Sequence, residues 1–161
     1  MAWLVTLLKF LWKNYLKQQV FIEEPIPATP PPAPPNLDKS ALLEKMCQAI
    51  KTHEGWFLGS RSYRNKNPGN LRRGQWKLAI GYDALDFAIF KTEADGMATL
   101  KAMIKNAATG GSKVYKPTDS LSTFFAKYAP STDHNDPARY ATVVAKAMGV
   151  SPFEFQLKEL V

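Results

Sequence analysis

The chain has 161 residues, 45% of them hydrophobic and 12% aromatic, which is enough for one domain with a buried core and an additional segment. Its 21 Lys and Arg residues exceed its 14 Asp and Glu residues, and the formal charge of +7 indicates an anionic partner or surface. Nucleic acid, acidic lipid and anionic wall polymer all satisfy that condition. The single cysteine, Cys47, excludes an internal disulfide bond and lies in an apolar helical pattern typical of a core residue.

Residues 1–24 are predicted to form an amphipathic helix. Lys9, Lys13 and Lys17 recur at every fourth position, so a helix would align them in one stripe beside an apolar surface. The apolar run before Lys9 is shorter than the roughly 20 residues that span a bilayer, and no cleavable secretory signal is evident. We therefore expect residues 1–22 to lie on a membrane surface or to dock on a partner. A short tilted span and packing against the rest of the chain are the alternatives.

A proline-rich linker is predicted over residues 25–37, which include the sequence PIPATPPPAPP. Proline fixes its backbone near the polyproline II conformation and has no amide hydrogen to donate, so such a stretch forms a semi-rigid spacer. The folded domain would then comprise residues 38–161, which carry most of the net positive charge.

The domain sequence predicts an α+β fold that is predominantly α-helical. Its first helix has a buried stripe at helical spacing and a natural stop at Gly55. Further helices are expected from Thr92 to Gly110, before Pro130, and after the Asp136–Pro137 and Ser151–Pro152 pairs. The segments QWKLAIGY and DFAIF are expected to form a short antiparallel hairpin around residues 83–84.

Glu54 occupies an unusual place for a structural glutamate. It lies four residues after Ile50 and continues the buried stripe, so the helix would carry its carboxylate to the edge of the core. Partial desolvation and the negative end of the helix dipole would both raise its pKa, as a general acid requires near neutral pH. An ion pair with an arginine of residues 61–73, or a role in capping the loop, is the alternative.

The polar loop that follows, NKNPGN at residues 65–70, has the composition of a turn that can also bind a ligand. Pro68 and Gly69 fit a tight turn in which glycine takes a positive φ. Asn67 and Asn70 can hydrogen-bond to a ligand, or they can simply build the turn. Amide side chains beside aromatic ones favour a neutral polyhydroxylated ligand, and the nearby aromatic residues are Trp56, Tyr63 and Trp76.

Four motifs follow one another along the domain: Glu54–Gly55, NKNPGNLRRG at 65–74, FAIFKTEADGMATLKAMI at 87–104 and FFAKYAPSTDHNDPARYATVVAKAMGVSP at 124–152. In this order and spacing they resemble the lysozyme-like, phage-type lytic transglycosylases marked by an NPGN loop. The resemblance covers about residues 43–152 and excludes the N-terminal helix and the spacer. It implies a lysozyme-like domain that cleaves the β-1,4 bond from N-acetylmuramic acid to N-acetylglucosamine in peptidoglycan.

The resemblance also implies roles for individual residues. Glu54 would be the catalytic acid and then base, while Asn67 and Asn70 would line the cleft. No cofactor and no metal are implied. Three further positions match the family pattern YAP…N…Y, and the third of them is expected to contact the substrate unless it is a core aromatic: Tyr128, Asn135 and Tyr140.

The implied reaction needs one carboxylate. Hydrolysis of a glycoside normally uses a second carboxylate, whereas in a lytic transglycosylase the muramyl 6-hydroxyl attacks the anomeric carbon and a 1,6-anhydro sugar forms. If the enzyme is instead a muramidase, Asp86 is the candidate for the water-activating partner, because Glu93 and Asp95 start a helix and Asp83 builds a turn. A non-catalytic glycan-binding virion protein is the other alternative.

The resemblance also suggests where the protein works. A phage-encoded enzyme of this kind would open the wall during genome delivery or during lysis. We expect it in a virion or associated with a membrane, acting in the periplasm and cell wall. Its partners would be peptidoglycan glycan strands and, through residues 1–22, a membrane surface or a virion component.

Two other functions agree less well with the sequence. A zinc peptidase would extend the pair His53–Glu54 to the pattern HExxH, but Phe57 stands where the second histidine is needed. Nucleic-acid binding would account for the basic loop but not for Glu54, whose carboxylate would repel phosphate, so no nucleic acid is expected as a partner.

Overall fold

The computed structural model describes residues 38–161, so the predictions for residues 1–24 and 25–37 lie outside the described residues. Five α-helices and a two-stranded antiparallel sheet make up this part of the chain, which confirms the predominantly helical α+β prediction. In chain order the elements are α1 (Lys39–His53), α2 (Arg61–Arg64), β1 (Ala79–Tyr82), β2 (Ala88–Phe90), α3 (Glu93–Ala108), α4 (Leu121–Tyr128), a 3-10 helix (Ser131–Asp133), α5 (Pro137–Met148) and a second 3-10 helix (Leu157–Leu160).

The first helix, α1, has the predicted boundaries. The Asp38 side chain accepts a hydrogen bond from the Ser40 amide over 2.9 Å and so caps its amino end. At the other end Gly55 takes a φ of +70°, the left-handed conformation that commonly follows a helix. The buried side chains of α1 all lie on one stripe, as the spacing predicts: Leu42, Leu43, Met46, Cys47 and Ile50.

The helices α3 and α5 also begin and end where the sequence predicts. Thr92 and Asp95 form a reciprocal capping box at the start of α3. The Asp136 side chain caps α5, whose first residue is Pro137, and Gly149 ends it with a φ of +76°. These local signals define the helices independently of the packing around them.

The core lies where α1, α3, α4 and α5 meet. Its largest side chains are aromatic, and Tyr140 of α5 is 2% exposed at its centre. The ring of Tyr140 stacks on Phe125 of α4 with centroids 4.2 Å apart. Cys47 is buried in the same core, as predicted, and burial raises the pKa of its thiol to about 12.

The hairpin forms as predicted, although its connection is longer than the Asp83–Ala84 pair. Tyr82 pairs with Ala88, and residues 83–87 make the turn. The Asp83 carboxylate accepts the amides of Leu85 and Phe87, which holds this turn closed. The loop before β1 also pairs with the hairpin, because Arg72 forms an isolated antiparallel bridge with Phe87. This pairing fixes the loop at residues 71–73 against β2.

Glycine at position 96 lets α3 lie directly against the NPGN loop. A Cβ atom added to Gly96 would come within 2.0 Å of the Lys66 carbonyl oxygen and 2.7 Å of Pro68 Cδ. Glycine within a helix costs about 1 kcal/mol relative to alanine, so its presence here indicates a close backbone approach. The loop is thereby held at a fixed distance from α3.

Two segments differ from the sequence-based expectation. The helix expected after Ser151–Pro152 is a turn followed by the 3-10 helix Leu157–Leu160, whose Leu157 and Leu160 side chains insert into the core. This segment pairs with the start of α4 through a bridge between Ser120 and Gln156, which is incompatible with a continuous α-helix. The short helix α2 was not predicted. Within residues 38–161 no helix has both the length and the hydropathy needed to cross a membrane.

Candidate active site

A cleft of about 1320 Å³ crosses the domain beside the carboxyl end of α1. The loop at residues 69–78 forms one wall, and residues 127–135 form another. The exposed edge of α3, with Ala98, Ala102 and Asn106, contributes small and polar side chains. Glu54 lines this cleft, as predicted from its place after the apolar stripe of α1.

The backbone at Glu54 is anchored on two sides. Its amide donates to the Ile50 carbonyl over 2.8 Å, which closes the last turn of α1. The buried Ser62 hydroxyl of α2 donates to the carbonyls of Glu54 and Gly55, over 3.4 and 3.2 Å. The short helix α2 therefore holds the turn that follows the glutamate, and the carboxylate is presented from a fixed backbone.

Two neutral donors hold the carboxyl group of Glu54. Asn70 Nδ2 donates to Oε2 and the Tyr140 hydroxyl donates to Oε1, each over 2.8 Å. Burial raises the pKa of the Glu54 carboxyl above its ordinary value of 4.5, and these two hydrogen bonds oppose part of that rise. Within residues 38–161 no Lys or Arg lies within ion-pair distance of Glu54, so the ion-pair alternative does not describe it.

Tyr140 contacts Glu54 from inside the core rather than from the cleft. Its ring lies between Phe125 and His53, with centroid distances of 4.2 and 3.8 Å. Tyr140 is 2% exposed and is not among the residues that line the cleft, so the structure does not place it for the expected substrate contact. The core aromatic that the sequence left as an alternative describes it better, with the addition that its hydroxyl reaches Glu54.

The environment keeps Tyr140, and the His53 ring stacked on it, in their neutral forms. Burial raises the pKa of the Tyr140 hydroxyl above its ordinary value, so it stays a proton donor. Desolvation lowers the pKa of His53, and the Arg139 charge lowers it further, which favours a neutral ring stacked on Tyr140. The carboxyl group of Glu54 is thus surrounded by uncharged groups.

Asn70 lies at the cleft surface in a left-handed conformation, with a φ of 43°. Asparagine adopts this conformation more readily than most residues, and here it aims Nδ2 at Glu54. The amide oxygen of Asn70 is buried and has no hydrogen-bond partner among residues 38–161. The predicted cleft position of Asn70 therefore agrees with the structure, and its close partner is the candidate acid.

Asn67 has a different environment from Asn70. It is fully buried, and its Nδ2 donates to the carbonyls of Leu71 and Ala88, over 3.0 and 2.9 Å. Its Oδ1 accepts the Leu71 amide over 2.9 Å. Both of its N–H donors and its oxygen bond to backbone, so Asn67 does not line the cleft as expected but holds the loop against β2.

The positive φ expected at Gly69 falls instead on the next residue, Asn70, and on Lys66 at the start of the loop. Gly69 is needed for space, because a Cβ atom there would lie 2.8 Å from the Tyr128 hydroxyl and 2.9 Å from Leu100 Cδ1. The Tyr128 hydroxyl donates to the Gly69 carbonyl, so α4 is tied to the turn at this point.

The two remaining predicted site residues both line the cleft. Tyr128 presents its ring from the end of α4, and burial raises the pKa of its hydroxyl. Asn135 is exposed and donates to the Pro130 carbonyl over 3.4 Å. The structure therefore brings Glu54, Asn70, Tyr128 and Asn135 to one cleft and places Asn67 and Tyr140 behind it.

The other carboxylates near the cleft have cationic partners. Asp86, the candidate for a second catalytic group, does not line the cleft, and Arg73 binds it through Nε and Nη2 over 2.9 and 2.6 Å. Among residues 38–161, Asp133 is the one other carboxylate that lines the cleft, and no sequence pattern pointed to it. Arg72 Nη2 donates to Asp133 Oδ2 over 3.1 Å.

One wall of the cleft is basic and aromatic, and the sequence did not reveal that Phe87 organises it. Arg61 and Arg72 lie over the Phe87 ring, with guanidinium carbons 4.4 and 4.8 Å from its centroid. Trp76 also lines the cleft, and its indole donates to the Arg72 carbonyl over 2.7 Å. Of the three aromatic residues expected near the ligand, Trp56 and Tyr63 pack on each other outside the cleft.

Within residues 38–161 no group of three or more His, Cys, Asp or Glu side chains is placed to hold a metal ion. Comparisons of the chain with protein-family models, with curated proteins and with solved structures find no match. The case for a function therefore depends on the cleft and on the residues that line it.

Proposed function

We propose that this chain is a peptidoglycan lytic transglycosylase and that Glu54 is its catalytic acid and base. One observation carries the proposal: a carboxyl group with a raised pKa lines a large cleft, held by two neutral donors and by no cation among residues 38–161. A general acid must keep its proton near neutral pH, and burial without an ion pair provides that condition.

In the first step Glu54 would give its proton to the glycosidic oxygen as the bond from that oxygen to the muramyl C1 breaks. The muramyl 6-hydroxyl would then attack C1 and return its proton to the Glu54 carboxylate. The new C1–O6 bond makes a 1,6-anhydromuramyl end, and no water is consumed. Asn70 and Tyr140 would stabilise the carboxylate between the two proton transfers, since each already donates to one of its oxygens.

The placement of the other acids supports transfer over hydrolysis. A hydrolase needs a carboxylate to activate water, and Asp86 lies outside the cleft in an ion pair with Arg73. A muramidase remains the second candidate function because Asp133 lines the cleft, although its carboxylate binds Arg72. A transglycosylase and a muramidase yield different products, so product analysis distinguishes the two functions.

We also propose that the domain is lysozyme-like and that it acts on the cell wall from a virion or a membrane. Helices around a cleft, a small hairpin at its rim and a glutamate at the end of the first helix support the fold assignment. The lysine stripe of residues 1–22 supports the membrane or virion contact. Replacing Lys9, Lys13 and Lys17 by Gln should weaken binding of the full chain to anionic vesicles, and unchanged binding would argue against a membrane role.

The test of the reaction is a digest of purified peptidoglycan with the full chain beside its Glu54→Gln variant, analysed by mass spectrometry. Anhydro-muropeptides from the wild type alone would support the transglycosylase and the role of Glu54. Reducing-end products, heavier by one water, would indicate a muramidase and direct attention to Asp133. If neither protein yields products but both bind glycan, the chain is a glycan-binding protein and the enzyme proposal fails.

A further inference from the structure

The wall of the cleft beside Phe87 is strongly basic. Five cationic and two acidic side chains line the cleft as a whole. A neutral glycan backbone needs none of these charges, because its hydroxyl and amide groups are satisfied by neutral donors and acceptors. The charge on this wall therefore indicates a part of the ligand that is anionic.

Arg61 is the most available of the three arginines that line the cleft. Its Nε lies 3.8 Å from Asp83 Oδ2, which is beyond hydrogen-bond distance, and its guanidinium donates no hydrogen bond to any of residues 38–161. The carboxylate of Asp83 is already occupied by Asn65 and by the backbone amides of Leu85 and Phe87. Arg61 therefore presents a full set of donors at the cleft.

Phe87 fixes the orientation of the Arg61 guanidinium donors. The Arg61 guanidinium carbon lies 4.4 Å from the centroid of the ring, so the cation is held against an aromatic face instead of moving freely in solvent. Phe87 is itself 9% exposed and held by the bridge to Arg72. A planar guanidinium held in this way matches the two oxygens of a carboxylate.

From this arrangement we propose that Arg61 binds a carboxylate of the peptide stem attached to the glycan, and that the cleft thereby prefers peptide-bearing strands over bare ones. The inference rests on the proposed function, because the stem is a feature of peptidoglycan. Arg72 also lies over the Phe87 ring and adds positive charge there, but its guanidinium is shared with Asp133. Arg61 is accordingly the residue that sets the preference.

A single carboxylate is favoured over a phosphate backbone by the two carboxylates that line the cleft, Glu54 and Asp133. Asp133 is paired with Arg72, whereas Glu54 has no cationic partner among residues 38–161. A polyphosphate running along the cleft would meet both carboxylates and be repelled by them, whereas a single carboxylate at Arg61 makes one contact.

The test measures binding by calorimetry with the full-length Glu54→Gln protein, which removes cleavage from the assay. The two ligands are soluble glycan strands with their peptide stems and the same strands after an amidase has removed the stems. We expect the peptide-bearing strands to bind roughly tenfold more tightly, as one partly exposed charge-assisted contact would give. Adding Arg61→Gln should abolish most of that difference, because it weakens binding of the peptide-bearing strands far more than binding of the bare strands.

Two further variants make the result specific. Arg61→Lys keeps the charge but not the planar fork, so it should restore only part of the preference. Lys146→Gln removes the same unit of charge from an exposed position of α5 outside the cleft and should change nothing. A full effect of Lys146→Gln would show that net charge, rather than Arg61, sets the preference.

The possible failures are distinguishable. Equal binding of the two strands would overturn the inference and leave the proposed function standing, whereas binding of neither strand would overturn both. A single-stranded oligonucleotide that displaces the peptide-bearing strand at lower concentration than a free stem peptide would assign this wall to nucleic acid and overturn the inference.

Discussion

The hydroxyl of Tyr140 donates a 2.8 Å hydrogen bond to Glu54 Oε1 across a separation of 86 residues. This contact joins the middle of the core to the cleft, because Tyr140 is buried while Glu54 lines the cleft. One consequence is that the Glu54 carboxyl group is oriented by a residue that does not line the cleft. The position of the Glu54 carboxyl group therefore depends on the packing of α5 against α1 and α4.

Replacing Tyr140 by Phe should lower activity without unfolding the protein. The ring keeps its place between His53 and Phe125, but Glu54 loses one donor and is less well oriented. That donor lowers the pKa of Glu54, so its loss should raise the pKa and move the alkaline limb of the kcat/KM profile to higher pH. We expect roughly a 10- to 100-fold loss in kcat, measured on peptidoglycan from pH 4 to 9. An alkaline limb that stays in place would show that Tyr140 only fills space.

Asn67→Ala should affect stability first. The substitution leaves the buried Leu71 amide without its acceptor and removes the Asn67 donor from the Ala88 carbonyl. The Leu71 carbonyl loses the same donor but still accepts from the Ala88 amide. Each buried unsatisfied group costs about 1–3 kcal/mol, so a loss of a few kcal/mol in the free energy of unfolding is expected. Chemical denaturation measures it. A variant with unchanged stability and reduced activity would instead return Asn67 to the role of substrate contact.

Gly96→Ala should disrupt the cleft by moving the NPGN loop away from α3. The new Cβ atom would lie 2.0 Å from the Lys66 carbonyl oxygen, so α3 and the NPGN loop must move apart. Overpacking of this kind costs about 1–3 kcal/mol or more, and the displaced loop carries Asn70 away from Glu54. Thermal melting and activity should both fall. Gly81→Ala is the matched control, because a Cβ atom there meets nothing within 4 Å.

The sequence predicts the elements of this fold better than the contacts between them. Caps such as Thr92 and Asp136 and the stripe that ends at Glu54 act locally, so they are readable from spacing. The roles of Asn67 and Asn70 could not be predicted from spacing, because both amides occur in one turn. Only the approach of β2 decides which of them is buried. The role of Tyr140 likewise depends on Glu54, which is far away in sequence. The role of Arg61 depends on its position against the Phe87 ring.

Glu54→Gln should be at least as stable as the wild type near neutral pH. Glutamine can accept from Asn70 through its oxygen and donate to the Tyr140 hydroxyl through its nitrogen, so both contacts survive.

The pKa of Glu54 is raised in the folded state, so the native protein binds more protons than the unfolded chain as pH rises above 4.5. The wild type therefore loses stability over that window, by at most about 1.4 kcal/mol per pH unit, until the folded pKa is passed. Glutamine does not titrate, so the variant escapes this loss. Melting temperatures measured at pH 4 and pH 7.5 should show the variant gaining on the wild type at the higher pH. If the variant instead melts several degrees lower at pH 7.5, Glu54 is a structural residue and the proposed acid must be given up.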